Sequence, residues 1–384
     1  MRKVIQAWMA PEDQGAHPSM ALSPSITLVL QSAKFFGFCP ISLLDISDSY
    51  FVLLWSLLLV ASHFTILIDV LRYLLGKNKE VWLGFVSSND IYTILYLTLV
   101  VHAFANQVSS IYNMGRWKEL VHGLRQLPDY NLDAESKQQT HISTRAAIGL
   151  LAVACIVYLG YVFLVIIVPR LSPFHGAIIP HLQLFFVLGS IAMPAVLITT
   201  LSQVLARHFA NTRRDFQHKF HNVGGKVYGG QQAAALADVF YKLAAAMEAL
   251  DGVFAWFLLF SALSLTLTGV FAIYMGLQWA ALGAVDVYLL IIVCFVLFCT
   301  TVTLIFVARA NHQSRTIRHD MMLASPERVD DSARLIVDKL ERYTSEMSWG
   351  LSMGGITLVN EKLIAIMALI IFGHIIFFLE RLVY

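Results

Sequence analysis

Charged residues are scarce in this chain, and their scarcity decides its class. Only 14% of the 384 residues are Asp, Glu, Lys or Arg, whereas 58% are apolar. Soluble domains carry about 25% charged residues, so the composition excludes a soluble enzyme with a single anchor. A net charge of +2 also argues against a nucleic-acid partner. The composition therefore predicts a polytopic membrane protein that binds no nucleic acid.

Cysteine and enzyme motifs are equally sparse. The four cysteines lie in or beside apolar runs without metal-ligand spacing, so we interpret them as packing thiols. The chain has no nucleotide-binding loop, no H-E-x-x-H and no C-x-x-C. We therefore expect no enzyme activity, no cofactor and no metal site. Residues 1–20 lack an apolar core of signal-peptide length, so we predict no cleaved signal.

Long apolar runs, in contrast, are abundant. A helix needs roughly 20 apolar residues to cross the hydrocarbon core of a bilayer. Seven runs of this kind carry almost no charge, and the seventh is the shortest. In chain order the predicted spans are Tyr50–Leu75, Ile91–Tyr112, Ala146–Val168, His181–Ala206, Val253–Leu277, Val287–Ala308 and Leu363–Leu379. The sequence thus predicts an all-α membrane protein with seven transmembrane helices in the lipid bilayer.

The basic residues predict how these helices are oriented, because cytoplasmic loops hold the excess of Lys and Arg. Of the 27 Lys and Arg residues, 21 lie in the N-terminal segment and in the loops after spans two, four and six. Five lie on the opposite side. We therefore predict a cytoplasmic N-terminus and an extracellular C-terminus. This orientation is the reverse of that of a G-protein-coupled receptor.

Two of the predicted cytoplasmic segments carry apolar stripes with helical spacing. One stripe covers residues 236–250 and continues into span five, and the other covers residues 329–347 before span seven. Such stripes either pack together below the membrane or lie flat on its surface, and the mixed charges on their polar faces favour a packed bundle. After the second stripe, Gly354 and Gly355 predict the end of a helix, and a turn follows at residues 360–361.

Four short stretches are typical of one receptor family. Lys34–Ser42 (KFFGFCPIS) combines glycine, aromatic residues and proline before span one, and Phe271–Leu277 (FAIYMGL) ends span five. Residues 348–363 (SWGLSMGGITLVNEKL) precede span seven, where Gly373–Arg381 reads G-H-IIFFL-E-R. These stretches resemble motifs of the insect gustatory receptor family, within the insect chemoreceptor superfamily. The family signature is T-Y, five apolar residues and Q-F; the five-residue spacer is kept here, and all four flanking residues differ.

The resemblance implies a ligand-gated, non-selective cation channel in the plasma membrane of sensory neurons. Family members are tetramers, here a homo- or heterotetramer, whose seventh helices line one pore for Na⁺, K⁺ and Ca²⁺. A small-molecule tastant binds in the outer half of spans two to six. Accordingly, we assign residues 1–49 to a cytoplasmic N-terminal segment and residues 50–308 to spans one to six with the ligand site. Residues 309–360 are assigned to cytoplasmic anchor helices, and residues 361–384 to the pore-lining helix.

The candidate pore residues lie on one face of the seventh span. With 3.6 residues per helical turn, Phe372, Ile376 and Glu380 share that face. Around a four-fold axis, Ile376 would form an apolar ring that gates by dewetting, and Glu380 an acidic ring that favours cations. The alternative is that Glu380 and Arg381 are ordinary interfacial residues that stop the helix from sliding into lipid.

The candidate ligand-binding residues are aromatic side chains in the predicted outer half. They are Tyr158, Phe163, Phe185, Phe186, Tyr274 and Tyr288. We also expect Pro194 to kink span four and to open a cavity there. Aromatic residues without clustered acids and amides favour an apolar or bitter ligand over a sugar. For each residue, simple packing or a place in the interfacial aromatic belt is the alternative.

Two other functions stay open at this point. A relative that has lost channel activity and serves as a chaperone or structural protein would explain the altered signature at Gly373–Arg381. A receptor of the olfactory branch would share the predicted topology. A transporter is disfavoured, because an odd number of spans does not divide into two matching halves.

The predicted orientation can be tested with epitope tags on intact cells. A C-terminal tag should be labelled by antibody without permeabilisation, and an N-terminal tag should be labelled only after permeabilisation. The reverse pattern would contradict the predicted sidedness and the extracellular position of Glu380.

Overall fold

A computed structural model of the chain is mainly helical. It describes residues 22, 24–41, 49–75, 90–127, 134–167, 178–220, 230–282, 287–322, 331–346 and 350–383. The helices of these residues are α1 (Pro24–Phe35), α2 (Tyr50–Leu74), α3 (Asp90–Tyr112), α4 (Met114–Arg125), α5 (Ala134–Ile167), α6 (Ile178–Phe220), α7 (Gly230–Leu282), α8 (Val287–Met322), α9 (Asp331–Glu346) and α10 (Glu361–Val383). Strands β1 (Ser352–Met353) and β2 (Thr357–Leu358) form an antiparallel hairpin between α9 and α10.

A helix covers each of the seven predicted spans. Among the described residues, five helical stretches are long and apolar enough to cross a membrane. They are Tyr50–Arg72, Ile94–Tyr112, His181–Gln217, Gly230–Ile273 and Ile291–Ile317. Helices α5 and α10 cover the remaining two predicted spans. The prediction of a helical membrane protein is confirmed.

Helix α7 is one continuous helix of 53 residues, or about 80 Å at 1.5 Å per residue. The prediction that the stripe over residues 236–250 runs directly into span five is therefore confirmed. Its apolar side chains Phe240, Leu243 and Met247 are fully buried. Ala333 and Leu340 of α9 belong to the same buried cluster, and α9 packs against α7. The prediction that the two stripes pack together is also confirmed.

The segment before span one packs among the other helices. Helix α1 contacts α5 and α6, and Val29, Leu30 and Ala33 are fully buried in the main core. From the sequence, residues 1–49 were assigned to a cytoplasmic segment, and no secondary structure was assigned to them. An apolar helix of 12 residues is too short to span a bilayer, and such helices are typical of re-entrant or core segments.

The chain leaves α1 through a turn that is held by polar side chains. Gly37 has φ +77°, and a Cβ at this position would lie 3.1 Å from both the Gln107 Oε1 and the Ser56 Oγ, so glycine is required. Ser56 of α2 donates a hydrogen bond to the Gly37 carbonyl, and Gln107 of α3 donates one to the Phe36 carbonyl. Two helices thus fix the position of this turn.

An asparagine replaces the backbone hydrogen bond that Pro194 removes from α6. Pro194 lies inside α6 and has no N–H, so the carbonyl of Ser190, four residues earlier, loses its usual helical donor. The Asn106 Nδ2 of α3 donates to that carbonyl at 3.0 Å. The Ser190 hydroxyl is in turn within hydrogen-bond distance of His63 and Gln107. Helices α2, α3 and α6 therefore share one buried polar network.

We expect Asn106→Leu to destabilise the protein, because it leaves the Ser190 carbonyl buried and unpaired. An unsatisfied buried carbonyl costs about 1–3 kcal/mol. Adding Pro194→Ala restores an N–H to α6, so the double variant should recover most of that loss in a thermal melt in detergent. If the two substitutions instead lower the melting temperature additively, Asn106 does not compensate for Pro194.

Candidate functional site

Helix α10 packs on the rest of the chain through a narrow stripe. Ile364, Met367 and Ile371 lie along this stripe, and Met367 is 6% exposed. Ile371 approaches α7 so closely that a Cβ on Gly269 would lie 2.9 Å from its side chain. The stripe therefore fixes which face of α10 turns away from the other helices.

The predicted pore residues lie on the opposite face. Ile376 is 180° from Met367 around a helix with 100° per residue, and Phe372 and Glu380 are within about 40° of Ile376. Phe372 and Ile376 are 57% and 53% exposed, and Glu380 is also exposed. Leu369 belongs to the same face and is exposed too. In the single chain, this apolar face with an acidic residue near its end is uncovered.

The hairpin before α10 is built on two glycines. A turn connects β1 to β2 and is closed by the Ile356 N–H, which donates to the Met353 carbonyl. Gly354 and Gly355 have φ +61° and +75°, a conformation that side chains with a Cβ rarely adopt. Sequence analysis predicted only a helix end at these glycines. The hairpin has two residues per strand, too few for an alternating pattern to be recognised.

Asn311 of α8 joins the two ends of this hairpin. Its Nδ2 donates to the carbonyls of Leu351 and Val359 at 2.9 and 2.7 Å, and its Oδ1 accepts from the Leu351 N–H at 2.7 Å. Asn311 is 2% exposed, so water does not replace these bonds. One side chain therefore fixes both the entry to the hairpin and its exit toward α10.

Helix α7 holds the tip of the same hairpin. The Asp251 carboxylate accepts hydrogen bonds from the N–H and the hydroxyl of Ser352, at 2.6 and 2.9 Å. The Gly354 N–H donates to the Ala255 carbonyl, one turn further along α7. Helix α10 then starts with the Asn360 side chain capping the Leu363 N–H at 2.8 Å. The start of the candidate pore helix is thus attached to both α7 and α8.

Three of the six candidate ligand residues form one aromatic cluster. Tyr158 of α5 stacks on Phe185 of α6 with ring centroids 5.9 Å apart, and Phe185 contacts Phe186 edge to face at 5.4 Å. Phe36, after α1, and Trp55 of α2 extend the cluster at 6.0 and 5.7 Å. The Tyr158 hydroxyl donates to the His181 carbonyl. The cluster presents apolar rings with hydrogen-bonding groups at its border.

The other three candidates do not join this cluster. Phe163 is 65% exposed and lies five residues after Tyr158, on a different face of α5. Tyr274 and Tyr288 belong to helices α7 and α8, but their side chains lie outside the part of the chain that the structure describes.

A small cleft lies beside the proline of α6, where the sequence predicts a cavity. The cleft has room for about one water-sized molecule, far less than the 300–1,000 Å³ of typical small-molecule sites. Its lining residues are Phe38, Asn106, Ser109, Ser110, Trp117, Pro194, Val253, Phe254 and Phe257. None of the six candidate ligand residues is among them.

Sequence reasoning missed the polar residues that organise these sites. These residues are far from their hydrogen-bond partners in sequence, so no local pattern reveals the pairs. The separations are 84 residues for Asn106, 40 for Asn311 and 101 for Asp251. The available signal was the presence of amide side chains inside or beside apolar runs. Such residues are costly in a membrane and usually have a specific partner.

Comparison with a family model now decides the class of the protein. The model described as "7tm Chemosensory receptor" matches residues 26–380. The chain belongs to this family of insect chemosensory receptors. The match spans nearly the whole length, including α1 and α10, and agrees with the resemblance to the insect chemoreceptor superfamily. No curated protein matches the chain in sequence.

Solved structures agree with this membership at the level of the fold. The insect olfactory receptor OR5 from Machilis hrabei superposes with a TM-score of 0.66 and 13% identity, over 93% of this chain and 97% of that receptor. The same receptor in complex with eugenol gives a TM-score of 0.67 and 13% identity, over 94% and 98% of the two chains. At this identity the likeness concerns the fold alone.

The attachment of the hairpin gives a stability prediction for this chemosensory receptor. Asn311→Leu removes three hydrogen bonds: the Leu351 N–H loses its acceptor, and the Leu351 and Val359 carbonyls lose their donor. We therefore expect a loss of roughly 2–4 kcal/mol. Asn360→Ala, the matched control, removes only a helix cap and should cost about 1 kcal/mol. Thermal melts of the purified receptor in detergent measure both. Equal effects of the two substitutions would contradict the role of Asn311.

Proposed function

We propose that this receptor is a gustatory-type subunit of a ligand-gated, non-selective cation channel. Four copies, identical or mixed, surround a central pore that is lined by α10. The single observation that carries the proposal is the uncovered face of α10. This face bears Phe372, Ile376 and Glu380, and it lies opposite the stripe that packs on α7. The predicted sidedness puts Glu380 at the extracellular end.

The chemistry of that face suits a cation pore. Four copies of Ile376 around an axis make an apolar constriction. When the constriction is narrow, water leaves it and ions cannot pass. Four Glu380 carboxylates at the mouth attract Na⁺, K⁺ and Ca²⁺. Helix α2 also exposes apolar residues, including Phe51 and Leu58, and we assign these to lipid. The acidic residue of α2, Asp69, is paired with Arg72, one turn further along the same helix.

The ligand is a small molecule that binds among the aromatic rings of α5 and α6. Tyr158, Phe185 and Phe186 supply apolar surface, as in typical small-molecule sites. The structure of OR5 with eugenol supports a small organic ligand for this fold. Because the rings already contact one another, the ligand must separate them to enter. Lys34–Ser42 and the spacing at Gly373–Arg381 favour the gustatory branch over the olfactory branch.

The hairpin provides a route from ligand to pore. Helices α7 and α8 belong to the region assigned to ligand binding, and they hold the start of α10 through Asp251 and Asn311. A ligand that shifts α7 or α8 therefore moves the hairpin, and the hairpin moves α10. The receptor would then depolarise a sensory neuron by letting cations cross its plasma membrane.

Cysteine accessibility at α10 tests the proposal. Ile376→Cys should make the current evoked by a panel of sugars and bitter compounds sensitive to a charged, membrane-impermeant thiol reagent. Ile371→Cys is the matched control, because Ile371 faces α7 and should leave the current at least tenfold less sensitive. The parent receptor measures the contribution of the four native cysteines.

Two results would count against the proposal. Equal modification of both variants, or of neither, contradicts a pore lined by the Ile376 face. Absence of any evoked current, with the receptor at the cell surface alone and with co-receptors, favours a chaperone or structural role.

A further inference from the structure

Three residues that line the cleft beside Pro194 carry polar atoms without a partner among the described residues. Asn106, Ser110 and Trp117 line it and are 2%, 4% and 0% exposed. The Asn106 Oδ1, the Ser110 Oγ and the Trp117 Nε1 make no hydrogen bond with the described residues. Buried polar atoms nearly always have a partner, so an atom without one calls for an explanation. Three such atoms around one cleft point to a bound molecule.

Ser110 is one of the buried hydroxyls that have no hydrogen-bond partner among the described residues. Thr200, Thr212 and Thr300 each donate to the carbonyl four residues earlier in their own helix. The Ser110 hydroxyl does not make this bond, although it also lies within a helix. It is therefore available to a molecule in the cleft.

The three atoms define the chemistry of that molecule. The Trp117 indole N–H can only donate, and the Asn106 Oδ1 can only accept, whereas the Ser110 hydroxyl does either. The molecule must therefore both accept and donate hydrogen bonds. No lining residue carries a charge, so a buried ion would be unpaired. The cleft has room for about one water-sized molecule, so it is too small for an odorant or tastant.

We propose that one water molecule occupies this cleft and bridges the Trp117 indole N–H to Asn106 and Ser110. Water meets all three requirements: it accepts from the indole, donates to the amide oxygen, and pairs with the hydroxyl. Two or more polar partners are what a buried water needs in order to be ordered. The water joins α3 to α4 at the point where Trp117 also packs edge to face on Phe254 of α7.

This water also supports the hydrogen bond that Asn106 donates to α6. Asn106 uses its Nδ2 for the Ser190 carbonyl that Pro194 leaves unpaired, and its Oδ1 for the water. The bridge therefore holds the amide in the orientation that satisfies α6. The proposal is independent of channel function, because it concerns the folded receptor alone.

A high-resolution electron cryomicroscopy map of the full-length receptor tests the proposal directly. We expect a density peak within hydrogen-bond distance of the Trp117 Nε1 and the Ser110 Oγ. A cleft without density, or one that is closed by a rotated side chain, overturns the proposal.

Thermal melts provide a second test in which the sign of the shift is informative. If water is bound, Ser110→Ala removes one of its partners and should lower the melting temperature by about 1–3 °C. If the cleft is dry, the same substitution removes an unpaired hydroxyl from an apolar site and should raise the melting temperature. Ser202→Ala is the matched control, since Ser202 is fully buried, has no hydrogen-bond partner among the described residues and does not line the cleft. A rise for Ser110→Ala overturns the proposal, and so does a fall equal to that of Ser202→Ala.

Discussion

Two asparagines satisfy backbone groups that the helices of this receptor cannot satisfy themselves, and the arrangement of the other elements depends on them. Within a bilayer or a buried core, no bulk water replaces a lost backbone hydrogen bond. Asn106 supplies the donor that Pro194 removes from α6, and Asn311 closes the ends of the hairpin before α10. Both side chains act between helices, so they also fix the positions of those helices relative to each other.

The hairpin explains how α10, a largely exposed helix, can keep a defined position. Helix α10 buries only a narrow stripe, which by itself would allow it to rotate or slide on α7. Its start is held at three points, by Asn311, by Asp251 and by the Ala255 carbonyl. These polar contacts lie at one end of the helix, whereas the candidate pore residues lie toward the other. Such an arrangement fixes the base of α10 and leaves the remainder free to respond.

Much of the fold could be predicted from the sequence, because the bilayer imposes a length and a composition on each span. The stripe over residues 236–250 predicted the continuous helix α7, and the spacing along α9 predicted its packing on α7. The hairpin and α1 were not predicted, because two-residue strands and a 12-residue apolar helix fall below the lengths at which such patterns are distinctive. The contact of Gln107 with the Phe36 carbonyl spans 71 residues and has no local signature.

The length of α7 has a mechanical consequence. A helix of about 80 Å is far longer than the roughly 30 Å hydrocarbon core. The 23 residues of α7 that precede the predicted span at Val253 measure about 35 Å. As a stiff rod, the helix converts a small angular change at the predicted span into a larger displacement at its start, about 0.6 Å per degree over about 35 Å. A sub-ångström rearrangement beside a bound molecule would therefore produce a larger displacement at the distant end of α7.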